Sequence, residues 1–466
     1  MAIRLFDHYV HLPVLVLVIV EAVIVSLALA LGHAIADSAG LIDSSTRGGD
    51  WGFWSCGITT VVLLCAMAAM GLYRIALRAR YSGVLSRLFV AFVLTAVFLP
   101  FLYYVVPPLY IHPFVMLVSS GIAIVGLAAV RLGFLKLVDE SLFKRRVLVL
   151  GAGTRAEQFL KLRRMADQRG FKLVRYLSMP GDEPAQLPEK RVRPMPENLY
   201  DYALRHRIDE IVIAVDDRRG TLPIRELLEC RLDGIDITDV VNFLERETGK
   251  INLDLVRPSW LIFENGFRRQ LPRRVAQRIF DILASGIVLI VASPIMLITA
   301  LAIRIEDGHP VLYRQRRVGR NNAVFNVLKF RSMRINAEAE GQPQWAREED
   351  DRVTRVGRVI RKLRIDELPQ LINVLAGKMS VVGPRPERPE FVERLKEQLP
   401  YYQERHRVRP GITGWAQLCY PYGSSEKDAF EKLQFDLYYV KNRTLIFDFM
   451  ILLQTAEVVL WQKGAR

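Results

Sequence analysis

The chain has 466 residues, of which 51% are hydrophobic, and its mean hydropathy is positive. These values indicate a membrane protein with soluble parts rather than a wholly soluble one, and the length suits roughly three domains. The formal net charge of +15 suits anionic lipid headgroups and phosphorylated substrates as partners. Because so much of the chain is apolar, nucleic acid is not expected as a partner. The four cysteines are spaced for neither a zinc site nor a disulfide framework.

The first part of the chain contains apolar runs that are each close to the ~20 residues a helix needs to cross a bilayer. They lie near Leu12–Leu31, Gly52–Leu72, Leu88–Val105 and Phe114–Leu135. The first run is too long for the apolar core of a cleavable signal peptide and lacks a clear cleavage site, so no such peptide is expected. The pattern predicts an α-helical bundle of four membrane spans over residues 1–140.

The loops of this bundle differ in charge, which predicts its orientation. The segment 73–87 and the exit from the fourth run are rich in Arg and Lys, whereas the segment 106–113 has neither. The first loop is acidic, with Asp37 and Asp43 among its residues. Basic loops stay on the cytoplasmic side of a membrane. We therefore expect both ends of the bundle to face the cytoplasm.

Residues 141–265 show the pattern of an α/β domain. The predicted buried strands are Arg146–Leu150, Lys172–Leu177, Glu210–Val215 and Ile235–Val240. Helical stretches separate several of them, which predicts a Rossmann-like, doubly wound parallel sheet. The first strand continues into a glycine loop, Gly151-Ala152-Gly153-Thr154-Arg155-Ala156. An amphipathic helix is expected to follow this loop and to continue through Ala166.

The ligand of this α/β domain is left open by the sequence. A glycine loop between a strand and a helix is the context of a dinucleotide or phosphate site. However, the acidic residue expected at the end of the second strand is missing, because Ser178 and Met179 stand there. The Tyr-x-x-x-Lys pair of short-chain dehydratases is missing as well. The glycines can instead serve only the tight turn and the packing of the helix.

A fifth apolar run, Ile282–Ile303, has arginines on both sides. A spanning helix would put one arginine cluster outside the cell, whereas a re-entrant helix over residues 280–304 keeps both inside. Near its middle, Pro294 removes a helix hydrogen bond, and Ser293 can bond a freed carbonyl. A spanning helix that tolerates this proline is the alternative, and the charge pattern favours re-entry. The later run Leu445–Trp461 contains polar residues and is expected in the membrane interface.

The segment from Arg361 to Gln370 sets Asp366 and Glu367 among basic residues. A carboxylate held among arginines stays ionised and can act as a nucleophile. Arginines in such a cluster can also hold phosphate, and a second carboxylate can help to bind Mg²⁺. This combination suits phosphoryl transfer. The alternative is a surface helix with ordinary salt bridges.

Further motifs surround this pair in a fixed order over residues 266–466. They are Lys329-Phe330-Arg331-Ser332-Met333, Asp351-Arg352-Val353-Thr354-Arg355-Val356-Gly357, Asn373-Val374-Leu375, Met379-Ser380-Val381-Val382-Gly383-Pro384-Arg385-Pro386 and Pro410-Gly411-Ile412-Thr413-Gly414-Trp415-Ala416-Gln417. The set strongly resembles the bacterial sugar transferase family, the monotopic polyprenyl-phosphate phosphoglycosyl transferases. The first 265 residues resemble the N-terminal part of the larger, bipartite members. A mainly α-helical catalytic domain with a re-entrant membrane helix is therefore expected.

The resemblance implies a reaction and a site. A UDP-sugar gives its sugar-1-phosphate to undecaprenyl phosphate through a phosphosugar–aspartate intermediate, and UMP leaves. Asp366 matches the family nucleophile, and Glu367 matches the acidic partner associated with the cofactor Mg²⁺. Which of the two carboxylates touches the metal stays open. The family's basic, phosphate-binding positions fall on Lys329, Arg331, Arg361 and Arg385.

The resemblance also implies a location, the bacterial inner (cytoplasmic) membrane with the catalytic domain on the cytoplasmic face. Two other functions are alternatives, a membrane-bound nucleotide-sugar dehydratase or epimerase, and a non-catalytic scaffold for polysaccharide assembly. The missing Tyr-x-x-x-Lys pair argues against the first, and the intact Asp366-Glu367 pair argues against the second. The sequence predicts neither the transferred sugar nor whether the chain forms a homo-oligomer.

Overall fold

The computed structural model describes residues 2–5, 8–41, 49–73, 81–137, 144–162, 170–183, 185–217, 222–256, 271–334, 352–420, 423 and 425–461. The chain folds as two units, Met1–Leu5 with Tyr9–Leu255 and Phe6–His8 with Val256–Arg466. The predicted domain boundaries near residues 140 and 265 lie outside the described residues and stay predictions.

The first unit begins with a pair of short strands and a set of membrane helices. The strands are β1 (Ala2–Leu5) and β2 (His8–His11). The helices are α1 (Leu12–Ser38), α2 (Gly49–Ala69), α3 (Tyr81–Val105) and α4 (Pro113–Leu137). Each predicted apolar run falls on one of these helices, and each helix is long and apolar enough to cross a membrane. The predicted helices of the bundle are therefore confirmed.

An ion pair joins α1 and α4 inside the bundle. Arg131 Nε lies 2.7 Å from Glu21 Oε1, and both side chains are buried. Arg131 Nη1 also donates to the carbonyl of Leu72, just beyond the end of α2, at 2.9 Å. A charge in an apolar bundle is costly unless it has such partners. The loops 42–48 and 74–80 lie outside the described residues, so the predicted orientation stays a prediction.

A parallel sheet follows in the same unit. Its strands are β3 (Arg145–Leu150), β4 (Phe171–Ser178), β5 (Val192–Pro194), β6 (Glu210–Ile213) and β7 (Asp236–Asp239). They lie in the order β5-β4-β3-β6-β7, and all neighbours are parallel. The accompanying helices are α5 (Thr154–Glu157), α6 (Leu199–Arg205), α7 (Ile224–Leu232) and α8 (Val240–Thr248). The predicted doubly wound sheet is present, and its topological switch point lies between β3 and β6.

Two details of this sheet differ from the prediction. The helix after the glycine loop ends at Glu157, and Ala166 itself lies outside the described residues. Beyond α5 the Phe159 amide bonds a carbonyl three residues back, and the tighter turn directs the Phe159 ring onto Phe171 and Phe243. The short strand β5 was not predicted, because so few residues show no usable periodicity.

The second unit is mainly helical, as predicted. Its helices are α9 (Leu271–Asp307), α10 (Arg355–Lys362), α11 (Gln370–Leu375), α12 (Pro389–Gln398), α13 (Trp415–Cys419), α14 (Glu426–Asn442) and α15 (Leu445–Trp461). Its strands are β8 (Leu312–Val318), β9 (Val324–Phe330), β10 (Ser380–Val382) and β11 (Gly411–Thr413). β8 and β9 form an antiparallel hairpin, and β10 pairs in parallel with β11. Asp351, the first residue of its motif, lies outside the described residues.

The long helix α9 has 37 residues and contains Pro294. Proline has no amide hydrogen, so it leaves the carbonyl four residues back without its usual donor. That carbonyl belongs to Ile290, and the Ser293 hydroxyl donates to it at 2.7 Å. This is the bond expected of the Ser-Pro pair.

Both ends of α9 are bound to the same unit. Near its start, Asp281 accepts from the Ser380 hydroxyl at 2.7 Å and from the Val381 amide at 3.0 Å. At its end, the Asp307 carbonyl accepts from Arg331 at 2.7 Å. A straight helix between these points would cover ~39 Å, which exceeds the ~30 Å hydrocarbon core of a bilayer. The hydrogen bonds of Asp281 and Asp307 thus bind both ends of α9 to one folded unit, as a re-entrant helix requires. The membrane topology itself stays a prediction.

The last helix, α15, covers the apolar run predicted near the C-terminus. Asp448, which interrupts its apolar pattern, is buried and accepts from the Tyr439 hydroxyl at 2.7 Å. The Asp448 side chain therefore points into the protein, where this hydrogen bond satisfies it. Placement of α15 in the membrane interface stays a prediction.

Candidate active site

The position of Lys329 depends on how β9 is fastened to α11. The side-chain oxygen of Asn373 accepts from the Leu328 amide at 2.9 Å, and its NH₂ group donates to the Asn326 carbonyl at 2.9 Å. Asn can satisfy a strand edge in this way because its side chain has both a donor and an acceptor. Lys329 is thus held beside the turn that precedes α11.

The chain after β9 packs tightly against α10. A Cβ at Gly357 would lie 2.0 Å from the Ser332 carbonyl oxygen, so a side chain does not fit there. Thr354 caps α10, because its hydroxyl accepts from the Gly357 amide at 2.9 Å. Beyond α10, Ile365 packs in an apolar cluster with Phe330. Phe330 lies between Lys329 and Arg331 in the chain, and Ile365 directly precedes Asp366. The packing of Phe330 and Ile365 in one cluster therefore fixes the spacing between these site residues.

A residue in the left-handed region separates α10 from the carboxylate turn. Arg364 has φ 60° and ψ 17°, and Ile365–Glu367 then form a single 3-10 turn. Residues other than glycine adopt this conformation uncommonly. The turn places Asp366 and Glu367 side by side, and the Arg364 charge acts on both carboxylates. Sequence reasoning did not select Arg364 as a site residue, although it lies in the same basic segment.

Glu367 is held by two cations. Its Oε1 lies 3.2 Å from Lys329 Nζ and 3.0 Å from Arg385 Nη2. Burial opposes ionisation of this carboxyl, but the charges of Arg385, Lys329 and Arg364 outweigh it and hold the pKa of Glu367 well below its usual range. Glu367 is therefore a permanent anion that keeps Lys329 and Arg385 in one place.

Asp366 differs from its neighbour. Its Oδ1 is buried and has no hydrogen-bond partner in the part of the chain that the structure describes. Burial raises the pKa of Asp366, the charge of Glu367 raises it further, and the charges of Lys329, Arg364 and Arg361 only partly oppose this. An oxygen without a donor keeps its electron pairs available. Asp366 is thus equipped to act as a nucleophile or as a ligand to a cation.

Arg385 is presented by the loop after β10. A Cβ at Gly383 would lie 2.4 Å from the Arg409 carbonyl oxygen, so the loop lies directly against the chain before β11. Arg405 Nη2 donates to the Arg385 carbonyl at 2.9 Å and lies 2.7 Å from Asp436 Oδ2. Arg405 and Asp436 are both buried. This pair therefore supports the backbone from which Arg385 reaches Glu367.

Two predicted phosphate-binding residues have other neighbours. Arg331 Nη2 donates to the carbonyls of Asp307 and Gly308 at 2.7 Å and 3.0 Å, and so closes the end of α9. Its Nε and Nη1 are buried and have no hydrogen-bond partner among the described residues. Arg361 lies on α10 and acts on Asp366 through its charge. The phosphate-binding role of both arginines stays a prediction.

The region that contains these residues matches a known family. A family model described as bacterial sugar transferase matches residues 272–462. A UDP-glucose:undecaprenyl-phosphate glucose-1-phosphate transferase of Escherichia coli is 32% identical over 348 residues, which cover 73% of this chain and 72% of that protein. The chain belongs to the bacterial sugar transferase family. The resemblance drawn from the motifs is therefore confirmed.

Two further relatives match this chain over part of their length. A UDP-N-acetylgalactosamine-undecaprenyl-phosphate N-acetylgalactosaminephosphotransferase of Aeromonas hydrophila is 42% identical over 265 residues, 56% of this chain. An undecaprenyl-phosphate glucose phosphotransferase of Komagataeibacter xylinus is 34% identical over 331 residues, 69% of this chain. The chain spans 61% and 60% of the length of these two relatives.

The fold of this chain gathers four of the six predicted catalytic and phosphate-binding residues. Asp366, Glu367, Lys329 and Arg385 form one cluster, whereas Ser293 and Pro294 lie on α9. Sequence reasoning missed the supporting residues, which are Arg364, Asn373, Arg405 and Asp436. Asn373 lies in the motif Asn373-Val374-Leu375, and Asp436 lies in Asp436-Leu437-Tyr438-Tyr439, a segment that also resembles the family pattern. A signal for both residues therefore existed in the sequence. Their bonds to β9 and to Arg405 became visible only in three dimensions.

Proposed function

We propose that this protein transfers a sugar-1-phosphate from a UDP-sugar to undecaprenyl phosphate, and so initiates exopolysaccharide, capsule or O-antigen synthesis. The observation that supports this best is the combination of a buried, unpartnered Asp366 oxygen with a Glu367 that binds Lys329 and Arg385. The names of several relatives describe sugar phosphotransferases that act with undecaprenyl phosphate. The transferred sugar is left open.

The proposed reaction has two steps at one phosphorus atom. A carboxylate oxygen of Asp366 attacks the phosphorus that bears the sugar, the bond from this phosphorus to UMP breaks, and UMP leaves with the bridging oxygen. An oxygen of undecaprenyl phosphate then attacks the same phosphorus. This step forms the lipid-linked diphosphosugar and returns Asp366 as a carboxylate. A covalent intermediate divides one difficult transfer into two easier ones.

Lys329 and Arg385 supply positive charge where the transition state spreads negative charge over phosphoryl oxygens. Before substrate binds, both cations are bound to Glu367. Because Glu367 is their common partner, the two cations stay close together while Asp366 keeps an oxygen free. Diphosphate oxygens of the donor then take over part of these contacts.

The carboxylates fit Mg²⁺ as the cofactor. Mg²⁺ is usually held by one or two carboxylates together with substrate phosphates, rather than by an all-protein cage. Among the described residues, no group of three or more His, Cys, Asp or Glu residues could hold a metal ion. Asp366 Oδ1 and the Glu367 carboxylate would be the protein ligands. When bound, the ion would stabilise the charge of the diphosphate.

An apolar groove of about 440 Å³ lies beside the site and suits the lipid acceptor. Phe330, next to Lys329, and Pro369, just beyond Asp366, both line it. Its other apolar lining residues are Leu289, Met296, Leu297, Ala300, Val311, Leu312 and Ile372. A polyprenyl chain is entirely apolar, so it matches the lining of this groove. The acceptor phosphate would then lie at the Asp366 end of the groove.

We also propose that α9 is re-entrant and keeps the site on the cytoplasmic face of the inner membrane. Cysteines placed near Arg273 and near Arg317, in a background without the native cysteines, should resist a membrane-impermeant thiol reagent in intact cells. Both should react after lysis. Labelling near Arg317 in intact cells would show instead that α9 spans the membrane. Pro294→Leu should straighten the helix and increase that labelling, and Pro294→Ala should act in the same direction.

A direct assay tests the proposed reaction. The purified protein is incubated with undecaprenyl phosphate and each of a panel of UDP-sugars that covers glucose, galactose and their N-acetylated forms. We expect one sugar to appear in the lipid phase together with an equal amount of UMP. A dehydratase or epimerase would change the sugar without making lipid product, and a scaffold would change nothing. Either of these outcomes refutes the proposed transfer.

A further inference from the structure

The glycine loop of the Rossmann-like sheet is already filled by carboxylates of the chain itself. This loop, Gly151–Ala156, follows β3 at the switch point of the sheet, where such folds bind the phosphates of a ligand. Phosphate binding in this loop type depends on backbone amides that point into an open space. Here Asp216, which follows β6, and Asp182, which follows β4, occupy those amides.

Asp216 uses every acceptor position that its carboxylate has. Its Oδ1 accepts from the Thr154 hydroxyl at 2.9 Å and from the Arg155 amide at 3.0 Å. Its Oδ2 accepts from the Thr154 amide at 2.9 Å and from the Glu183 amide at 3.1 Å. An ionised carboxylate has about four such positions. Burial opposes its ionisation, but the amides of Arg155, Glu183 and Thr154 outweigh this and lower the pKa of Asp216.

The space that a glycine provides in this loop is also taken. A Cβ at Gly153 would lie 1.8 Å from Asp216 Oδ2, so the glycine admits the chain's own carboxylate. Asp182 Oδ2 accepts from the Ala152 amide at 2.7 Å and from the Met179 amide at 2.8 Å. The loops after β3, β4 and β6 are thereby tied to one another.

A second, independent feature of the domain points in the same direction. Ser178 ends β4 at the position where dinucleotide-binding domains present an acidic residue to the ribose. Its hydroxyl donates to the Arg193 carbonyl of the neighbouring β5 at 3.3 Å. Neither the diphosphate nor the ribose of a dinucleotide would therefore find its usual partners here.

We propose that Asp216 is the built-in anion of the Gly151–Ala156 loop, and that this domain binds no dinucleotide or other phosphate ligand in its native state. The carboxylate stands where a diphosphate would stand and joins the carboxyl ends of three strands. The loop keeps its capacity for anions, and Asp216 blocks it. This inference concerns the first unit and does not depend on the proposed transfer reaction.

Removing the carboxylate should open the loop. The full-length protein, its Asp216→Ala variant and the control Asp217→Ala are compared by calorimetric titration with inorganic pyrophosphate and with NAD⁺. Asp217→Ala removes the same charge one residue away and keeps the carboxylate that makes the four hydrogen bonds of Asp216. We expect no binding at millimolar ligand for the native protein and the control, and at least about tenfold tighter pyrophosphate binding for Asp216→Ala. Tight binding by the native protein, or a folded Asp216→Ala variant that gains nothing, would overturn the proposal.

Amide hydrogen exchange of the native protein tests the proposal even if the Asp216→Ala variant does not fold. Amide hydrogen exchange of the peptide that covers residues 151–156 is followed with and without millimolar pyrophosphate or NAD⁺. Because Asp182 and Asp216 already bond the amides of Ala152, Thr154 and Arg155, these should be protected without ligand. Ligand should not change their exchange. Rapid exchange of these amides, or slower exchange on adding pyrophosphate, would show an open loop and contradict the proposal.

Discussion

Asp366 and Asp216 are both buried or half-buried carboxylates in loops suited to phosphate chemistry, yet they are bonded in opposite ways. Asp216 accepts hydrogen bonds on both oxygens from surrounding amides and a hydroxyl. Asp366 leaves Oδ1 without a partner among the described residues. Accordingly, the pKa of Asp366 is raised above its usual value, chiefly by burial, whereas the backbone amides around Asp216 lower its pKa despite burial.

This difference agrees with the roles we propose, a reacting carboxylate for Asp366 and a structural one for Asp216. Four hydrogen bonds tie up the electron pairs of Asp216, so it stabilises loops but cannot attack a phosphorus atom. In the Asp366 site, Lys329 and Arg385 form their ion pairs with Glu367 instead. Asp366 therefore keeps a free oxygen at an energetic cost. Strain and unsatisfied groups of this kind are found where a site is built for function.

The comparison predicts its largest effect for Asp366→Asn. This change keeps the shape of the side chain but removes the nucleophilic charge, so transfer should fall to background. Thermal stability should be retained, because the lost charge was buried without a donor on Oδ1. UMP release and a melting curve measure both quantities. Substantial turnover by a well-folded Asp366→Asn protein would remove Asp366 from the covalent step.

Metal removal should have an effect nearly as large. Oxygen ligands from carboxylates and phosphates favour Mg²⁺ over soft metals, so EDTA should abolish transfer and added Mg²⁺ should restore it. Glu367→Gln should weaken the response to Mg²⁺ in a titration of UMP release. Full activity in EDTA contradicts the Mg²⁺ proposal. An unchanged Mg²⁺ titration in Glu367→Gln would leave Asp366 as the remaining candidate ligand.

Asp216→Asn should show the opposite pattern to Asp366→Asn. An NH₂ group would face the donors that Asp216 now accepts, which costs about 1–3 kcal/mol for an unsatisfied buried group. The first unit should unfold at a lower temperature, while transfer at moderate temperature is unchanged. Because the pKa of Asp216 is lowered on folding, its stabilisation is present above its ordinary pKa and is lost as pH falls through the folded value. The stability gap between native and variant protein should therefore shrink in acid, and a gap that widens in acid would contradict this.

The smallest expected effect concerns the acidic side of the pH profile. Transfer needs Asp366 ionised, so activity should fall as pH decreases through its raised pKa. Arg361→Gln removes a charge that favours the ionised form, so this fall should move to higher pH. Arg358→Gln, on the same helix, is the matched control and should leave the profile in place. A shift to lower pH in Arg361→Gln would mean that another group limits the reaction.

Short-range patterns were sufficient for much of the fold. The apolar runs predicted the membrane helices because their length suits a bilayer. Strand-like runs separated by helical stretches predicted the parallel sheet, because burial of apolar residues in such elements follows local periodicity. The pair Ser293-Pro294 predicted a hydrogen bond from the Ser293 hydroxyl to the carbonyl that Pro294 leaves without a donor, since a hydroxyl next to proline lies within reach of that carbonyl. The helix predicted through Ala166 ends at Glu157 instead, and in the tighter turn that follows, the Phe159 ring packs against rings from distant parts of the chain.

By itself, the sequence determined the family, the Asp366-Glu367 pair and the cations at Lys329 and Arg385, since motif spacing is a property of the chain. Only the tertiary structure decided which partner each charge takes. It directs Arg331 to the end of α9 and places Asp216, far along the chain, in the glycine loop. A carboxylate bonds whichever donor the fold brings within about 3 Å, and sequence patterns hold little information about contacts between distant segments.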